Sequence, residues 1–190
     1  KNDIVQSFRH LFDKTLVCAL ELDSQVPWVF NAPEISFLTR LNIRWLNSSV
    51  VEEKIITSNC KSLQELVVRM DSESLRNLWR IIVNHDQYVY SNLRKLTLVL
   101  DEQLDEPLVN PTRIADEHAP FPSLTHLKLE TCYPLGDCAL FRGNFAKLQY
   151  LDMDIDVNSA LVLAELELSE TPDSLRHAKF YFPRHPEDPP

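Results

Sequence analysis

Apolar residues recur along the chain in a fixed frame that is clearest in the stretch FPSLTHLKLETCYPL. The apolar positions of that stretch follow the order L-x-x-L-x-L-x-x-C-x-x-L and are Leu124, Leu127, Leu129, Cys132 and Leu135. Similar frames begin at Leu38, Leu63, Leu93 and Leu148, and weaker ones begin at Val17 and Leu175. Alternate side chains of a β-strand point to the same face, so each frame predicts a short strand with one buried face.

The context of the frames is also shared, which separates them from chance leucine spacings. An apolar residue stands three positions before the first leucine of five frames, as Ile35, Cys60, Tyr90, Phe121 and Phe145. The inward pairs predicted for the strands are Leu41/Ile43, Leu66/Val68, Leu96/Leu98, Leu127/Leu129 and Leu151/Met153. One short strand cannot bury such a face, so we expect stacked units with a continuous core under a parallel sheet.

The segments that follow the strands carry turn and helix signals. Cys132 occupies a turn position, and its equivalents Asp71, Asp101 and Asp156 can accept backbone N–H groups there. The strongest helix signal begins at a cap, Ser72 or Ser74, and its apolar stripe is Leu75, Leu78, Trp79 and Ile82. Further helices are predicted to begin near Asp3 and near Ser49, and another is predicted over 158–168.

These frames resemble leucine-rich repeats, and the resemblance covers roughly Val17 to Phe182. From the seven starting positions given above, the units are spaced 21, 25, 30, 31, 24 and 27 residues apart. This irregular spacing is similar to that of cytosolic F-box-type repeat proteins, and the segment ALFRGN before Leu148 resembles fungal leucine-rich-repeat families. The resemblance implies an α/β solenoid with a curved parallel sheet on the concave face and helices or irregular segments on the convex face.

The same resemblance implies a domain that binds other proteins on the concave sheet and has no catalytic residues. We expect one domain over 1–182 and a Pro-rich tail over 183–190. The longest connection, 101–120, holds six acids, one arginine and three prolines, so it is either a functional loop or a disordered segment or plain insertion. The chain begins at Lys1 without an initiator methionine, which is typical of a fragment of a larger protein.

Composition and charge narrow the function classes. The chain has 190 residues, of which 44% are hydrophobic, and it has no apolar run near the ~20 residues that span a bilayer. A formal net charge of -9 argues against nucleic acid as a partner, because duplex affinity comes largely from basic residues. Cys18, Cys60, Cys132 and Cys138 form no C-x-x-C pair, which favours a reduced, intracellular protein in the cytoplasm or the nucleus.

Stacked strands should place equivalent outward residues in columns that cross the sheet, about 4.8 Å apart. The first column is predicted to hold Ala19, Arg40, Glu65, Lys95, His126, Tyr150 and His177. The second is predicted to hold Glu21, Asn42, Val67, Thr97, Lys128, Asp152 and Lys179. The third is predicted to hold Asp23, Arg44, Arg69, Val99, Glu130, Asp154 and Tyr181.

From these columns we predict a partner-binding surface on the concave face. Its residues are Arg40, Arg44, Arg69, Lys95, His126, Lys128, Glu130, Tyr150, Asp152, Asp154, Lys179 and Tyr181. In the third column two arginines would stack and two acids would follow, so one hypothesis is a docking edge for a partner with an acidic and a basic patch. The alternative is that these charges are only solvated, since exposed ion pairs contribute about 0–1 kcal/mol.

Enzyme chemistry has little support in the sequence. Gly136 and Gly143 are the only glycines, so no glycine-rich phosphate loop can form, and we expect no cofactor, no metal and no catalytic site. Two alternatives to a plain interaction module within larger assemblies stay open: the substrate-recognition part of an F-box ubiquitin-ligase adaptor, and a purely structural domain. From another class, Cys132 with His126 is the candidate pair of a hydrolase, although a buried structural cysteine fits that turn position better.

Overall fold

The predicted frames form one parallel sheet in the computed structural model. The structure describes residues 18–22, 33–46, 60–71, 73–74, 90–100, 121–131, 145, 147–154 and 171–181. The strands are β1 (Ala19–Leu22), β2 (Arg40–Leu46), β3 (Glu65–Met70), β4 (Lys95–Leu100), β5 (His126–Thr131), β6 (Tyr150–Asp154) and β7 (His177–Tyr181). A 3-10 helix (Pro33–Phe37) precedes β2, and the single helical turn α1 (Thr171–Ser174) precedes β7.

The seven strands pair in chain order, β1 to β7, and every neighbouring pair is parallel. Parallel neighbours require a crossover segment between them, so the chain returns to the same end of the sheet after every strand. The predicted row Leu41, Leu66, Leu96, Leu127 and Leu151 is confirmed, because each residue is the register partner of the next. The sequence frame therefore also fixed the pairing register.

The core lies on one face of this sheet, where the predicted inward residues are buried. Leu41, Ile43, Leu66, Val68, Leu96, Leu98, Leu127, Leu129, Leu151 and Met153 are each at most 4% exposed. Their neighbours along each strand are exposed or half-buried, as the alternation of β3 and β4 shows most clearly. We call the second face, which carries the first-column and second-column residues, the open face.

A turn of the same form precedes five of the strands. The backbone N–H groups of Leu38, Leu63, Leu93, Leu124 and Leu148 donate to carbonyls three residues earlier, at 2.9–3.1 Å. Those earlier residues are the predicted apolar ones, Ile35, Cys60, Tyr90, Phe121 and Phe145, and all of them are buried. The Phe121 and Phe145 rings stack with centroids 6.3 Å apart, so these side chains also contact each other between units.

Carbonyl groups that accept two hydrogen bonds join each unit to the next, just before the strands begin. The carbonyl of Arg94, for example, accepts the backbone N–H groups of Thr125 and His126, both at 2.9 Å. The carbonyls of Cys18, Thr39, Gln64, Thr125 and Gln149 each accept two N–H groups of the following unit in the same way. This repeated contact sets where each strand starts relative to its neighbour.

The two end strands are less covered than the central ones. On β1, Leu20 is half-buried and Leu22 is 8% exposed. On β7, Ala178 is exposed and Phe180 half-buried, although both are register partners of buried β6 residues. Within the described chain, β1 and β7 have a strand on one side only, so their inward faces lack one of the two flanking neighbours. The weaker frames at Val17 and Leu175 correspond to these strands.

One register prediction is wrong. The pairing of β2 with β3 shifts after Ile43, because Leu46 pairs with Met70 and leaves Arg44 and Trp45 opposite the single residue Arg69. Such an extra residue is a β-bulge, which bends the strand and redirects its side chains. Arg44 therefore does not stack in register on Arg69, as the third column assumed. The remainder of that column is in register at Arg69, Val99 and Glu130, and again at Asp154 and Tyr181.

The turn after β3 also differs in detail from the prediction. The carboxylate Oδ1 of Asp71 accepts the backbone N–H of Ser74 at 2.7 Å, and Glu73 and Ser74 have helical backbone. This spacing is that of a helix N-cap, so Asp71 caps the helical backbone at Glu73 and Ser74. An acidic turn residue that binds a backbone N–H is confirmed at Asp71.

Several predictions fall outside the described residues. They concern the helical stripe from Leu75, the helices near Asp3 and Ser49 and over 158–168, the turn residues Asp101, Cys132 and Asp156, the residue Asp23, the acidic segment 101–120 and the tail 183–190. Within the described ranges, no helix has the length and apolar character needed to cross a membrane.

Shortening a buried side chain of β4 should destabilise the fold far more than shortening its outward neighbour. Leu98 is 2% exposed, so Leu98→Ala should lower the free energy of unfolding by about 2–5 kcal/mol through lost burial and a cavity. Val99, the next residue, is half-buried on the opposite face, and Val99→Ala should cost less than about 1 kcal/mol. Urea unfolding followed by circular dichroism measures both; equal losses would contradict the assignment of the buried face.

Candidate functional site

The register of the sheet places the predicted first and second columns on the open face. The first column runs in register through Ala19, Arg40, Glu65, Lys95, His126, Tyr150 and His177. The second runs in register through Glu21, Asn42, Val67, Thr97, Lys128, Asp152 and Lys179. Both columns are confirmed as rows of neighbours, so residues far apart in sequence form one surface.

Aromatic rings form a ladder along the first column on β5, β6 and β7. The rings of His126 and Tyr150 stack with centroids 4.3 Å apart and planes 13° from parallel. His177 lies on the other side of Tyr150 with its centroid 6.0 Å away and its plane tilted by 41°. The spacing of parallel strands, about 4.8 Å, makes such stacking possible. Tyr150 is nevertheless 42% exposed, so the ladder is accessible to a partner.

Hydrogen bonds fix the orientation of the His126 ring. The hydroxyl of Thr125 donates to the carbonyl of Arg94 at 3.1 Å and lies 2.8 Å from Nδ1 of His126. A hydroxyl has one hydrogen, so with that hydrogen on the Arg94 carbonyl the Nδ1–H group must donate to Thr125. Nε2 is then the nitrogen that gains or loses a proton. Thr39, at the equivalent position before β2, binds the Cys18 carbonyl at 2.9 Å in the same manner.

The environment of His126 favours its neutral form. Partial burial lowers the pKa of the imidazole, and the positive charge of Lys95 on the neighbouring strand lowers it further. Both effects disfavour the imidazolium, the first by removing water and the second by repulsion. Lys95 and a protonated His126 are thus two adjacent cations in one column.

The second column and the residues beside it hold charges that neutralise one another. Lys128 forms an ion pair with Glu130 at 2.5 Å. This hydrogen bond raises the pKa of Lys128, and the carboxylate of Asp152 on β6 contributes to the increase. Lys179 lies 4.3 Å above the ring of Tyr181, and its hydrogen bond to Tyr181 raises its pKa, again with a contribution from Asp152. The order Lys128, Asp152, Lys179 across three strands alternates in sign.

The other end of the sheet has its own ion pair. Arg44 binds Glu21 of β1 through Nε and Nη2, both 2.6 Å from Oε1. The side chains of Arg44 and Glu21 are 60% and 50% exposed, so this ion pair contributes at most about 1 kcal/mol to the stability of the fold. The docking-edge hypothesis assumed that Arg44 and Arg69 stack as like charges. The bulge removes that stack, and Arg44 has an acidic neighbour within the protein.

Two shallow grooves lie on the open face. The first, about 360 Å³, is formed by β1, β2 and β3 around Arg40 and Asn42. The second, about 300 Å³, is formed by β3 to β7 and contains the ring ladder. Its polar lining consists of Glu65, Lys95, Thr97, His126, Lys128, Tyr150, Asp152, His177 and Lys179. We call this second groove the ladder groove.

The ladder groove brings together six of the twelve residues predicted for the partner surface. These are Lys95, His126, Lys128, Tyr150, Asp152 and Lys179. Arg40 lines the other groove, while Arg44, Arg69, Glu130 and Tyr181 line neither of these two, and the side chain of Asp154 lies outside the described part of the structure. The site prediction omitted Glu65, Thr97 and His177, although each belonged to a predicted column. It also omitted Thr125, whose signal is a threonine in the slot before the strand, shared with Thr39.

The candidate catalytic and metal-binding residues are only partly covered by the described ranges. Cys132, the proposed nucleophile partner of His126, lies outside the described residues. Of the described cysteines, Cys18 is exposed beside β1 with a free thiol, and Cys60 is buried before β3. Within the described ranges, no group of three or more His, Cys, Asp or Glu side chains is arranged to hold a metal ion.

Known proteins do not resolve the function of these grooves. No protein-family model matches the chain, and neither a curated protein nor a solved structure matches it. The function must therefore be inferred from the chemistry of the open face itself.

The effect of Lys95 on the pKa of His126 should be measurable by titration. Lys95→Gln should raise the pKa of the imidazole, because it removes the neighbouring positive charge, but the pKa should stay below the usual 6.5 because partial burial remains. Two-dimensional NMR of the ring protons follows this titration. Lys61→Gln, at an exposed turn residue, is the matched control and should leave it unchanged. An unaltered pKa in Lys95→Gln would contradict the electrostatic contact.

The same residue should make stability depend on pH. With the pKa of His126 lowered in the folded state, the unfolded state binds more protons between that pKa and about 6.5. The free energy of unfolding should therefore decrease as the pH falls through this window, and His126→Gln should remove this part of the decrease. Urea unfolding between about pH 7.5 and pH 5 measures the difference; parallel curves for the two proteins would contradict it.

Proposed function

We propose that the chain is a leucine-rich-repeat solenoid that acts as a non-enzymatic protein-interaction module. Support for the repeat comes from the unit that recurs before and along the strands. Each of five units has a buried apolar residue, a turn closed three residues later, and a strand with two buried side chains. The pairing of strands in chain order also fits stacked units, each of which contacts its two neighbours.

Protein binding on the open face is supported by the exposed chemistry of that face. Buried aromatic residues and arginines are the usual anchors of protein interfaces, and an exposed tyrosine in a row of rings offers a large contact area with few torsions to fix. Tyr150 is 42% exposed and is held between His126 and His177. The ring ladder is the single observation on which this proposal rests.

Further features of the open face fit a binding function better than a catalytic one. The His126 ring is held through Nδ1 by a threonine, and the described cysteines lie before β1 and before β3. The second column is largely self-neutralised, which suits a surface that must remain soluble until a partner arrives. We also propose an intracellular location, in the cytoplasm or nucleus, which the exposed free thiol of Cys18 supports.

Affinity capture with matched variants tests this function. The double variant Lys95→Glu, Tyr150→Ala changes the ladder groove, and the double variant Lys61→Glu, Phe37→Ala makes the same charge reversal and a comparable loss of an aromatic ring at exposed residues outside both grooves. Immobilised proteins are exposed to cell extract, and captured proteins are quantified by mass spectrometry. At least one partner of the wild type should be retained by the control and reduced at least about tenfold by the groove variant, a loss of about 1.4 kcal/mol.

Two results would contradict the proposal. Equal capture by the groove variant and the wild type would mean that the open face does not bind the partner. Loss of capture in both variants would place the contact elsewhere or indicate unfolding, which circular dichroism of each protein separates. Cross-linking of the captured partner to lysines of the open face, Lys95, Lys128 and Lys179, gives an independent reading of the same contact.

A further inference from the structure

Several cations of the open face already have a partner within the protein. Arg44 pairs with Glu21, Lys128 pairs with Glu130, and Lys179 binds Tyr181. Lys95 is exposed, and the structure shows no ion pair for its ammonium group within the described part of the chain. Its register neighbours are Glu65 on β3 and His126 on β5. Lys95 is therefore the cation in the ladder groove that is most available to an external anion.

The imidazole of His126 is a second, oriented group for the same anion. Its Nδ1 is occupied by Thr125, and its ring is stacked on Tyr150, so little rotation is left to the side chain. A group that is fixed before binding loses less conformational entropy on binding. Once protonated at Nε2, the ring adds a hydrogen-bond donor and a positive charge next to Lys95.

The ladder groove is small, so it can hold only a short segment of a partner polypeptide. Its volume of about 300 Å³ is at the lower end of the range for small-molecule sites, about 300–1,000 Å³. The groove is also open along the sheet, from Glu65 on β3 to Lys179 on β7. An extended peptide can lie across these strands and place one or two side chains in the groove.

We propose that the ladder groove binds an acidic peptide segment of the protein partner, with a carboxylate between Lys95 and His126 and the peptide lying along the His126, Tyr150 and His177 rings. This rests on the proposed function and adds the chemistry of the partner. The carboxylate supplies the negative charge that Lys95 lacks, and it can accept hydrogen bonds from both groups at once. Tyr150 adds apolar contact and its hydroxyl.

A polynucleotide is the less favourable anion for this groove. The chain has a net charge of -9, and Glu65 and Asp152 line the groove together with its three lysines. A backbone with a regular row of phosphates would meet both acids. The ring ladder could still stack on bases, so a polynucleotide is included as a competing ligand in the test.

Binding should be tighter at lower pH. A carboxylate next to the imidazole favours its protonated form, so a bound ligand raises the pKa of His126, and binding is coupled to the uptake of a proton by this ring. The groups that face this ring are Lys95 from β4, Tyr150 from β6 and Thr125 on its own chain segment. His126 is the group through which we expect pH to act, because an imidazole changes its charge near neutral pH.

Titration of the 190-residue chain with hexaglutamate tests the inference, with hexaglutamine and a deoxythymidine hexanucleotide as comparison ligands. Fluorescence polarisation gives affinities, and NMR of the His126 ring reports contact at the site. Hexaglutamate should bind at least about tenfold more tightly than hexaglutamine, and several-fold more tightly at pH 6 than at pH 8. It should also raise the pKa of His126. Lys95→Gln should weaken binding at least about fivefold, while Lys147→Gln, at an exposed turn residue, should not.

The outcomes separate this inference from the proposed function. If hexaglutamate leaves the His126 resonances unchanged, or if the hexanucleotide binds more tightly at the same ring, the acidic-peptide inference is overturned even where affinity capture supports partner binding. If hexaglutamate binds as expected but capture is insensitive to the groove variant, the inference about the anion holds and the partner interaction fails. Equal weakening by Lys95→Gln and Lys147→Gln would reduce the effect to overall charge and would also overturn the site.

Discussion

The in-register stacking of parallel strands is the constraint on which the rest of this structure depends. A strand such as β4 buries Leu96 and Leu98 only because β3 and β5 place Leu66 and Leu127 beside them. Shared carbonyls at the strand starts, such as that of Arg94 with Thr125 and His126, prevent a slip by one residue. Such a slip would turn every leucine of the strand toward the open face. Ala178 is exposed, because β7 has a neighbouring strand on one side only within the described chain.

The register that fixes the core also assembles the open face. His126, Tyr150 and His177 are far apart in sequence, yet they form a continuous ladder because each stands one position before an inward leucine or alanine. The Thr125 hydroxyl links the strand pairing to the open face. It binds the Arg94 carbonyl, which sets the strand start, and it also orients the His126 ring. A change in the stacking of units would therefore alter the surface as well as the core.

The charges of the open face are paired in some places and not in others. Ion pairs at Arg44–Glu21 and Lys128–Glu130, with the alternation of Lys128, Asp152 and Lys179, leave much of this surface close to neutral. Lys95 has no ion pair among the described residues; partial burial lowers the pKa of the His126 imidazole, and repulsion by Lys95 lowers it further. The proposed carboxylate would relieve that repulsion. Binding of the proposed carboxylate and protonation of His126 are therefore expected to be coupled.

The spacing of apolar residues by itself determined the strands, their buried faces and the first two columns, because a period of two combined with a repeated frame has only one way to share a core. Even so, Leu20 and Ala178 are less buried than their register partners Leu41 and Leu151, since coverage depends on neighbours and not on the pattern. Only the tertiary structure decided the bulge at Arg44 and Trp45, the Asp71 cap, the pairing of Lys128 with Glu130 and the fixed ring of His126. These depend on distances of a few ångströms between side chains, and a sequence pattern carries directions along the chain but not those distances.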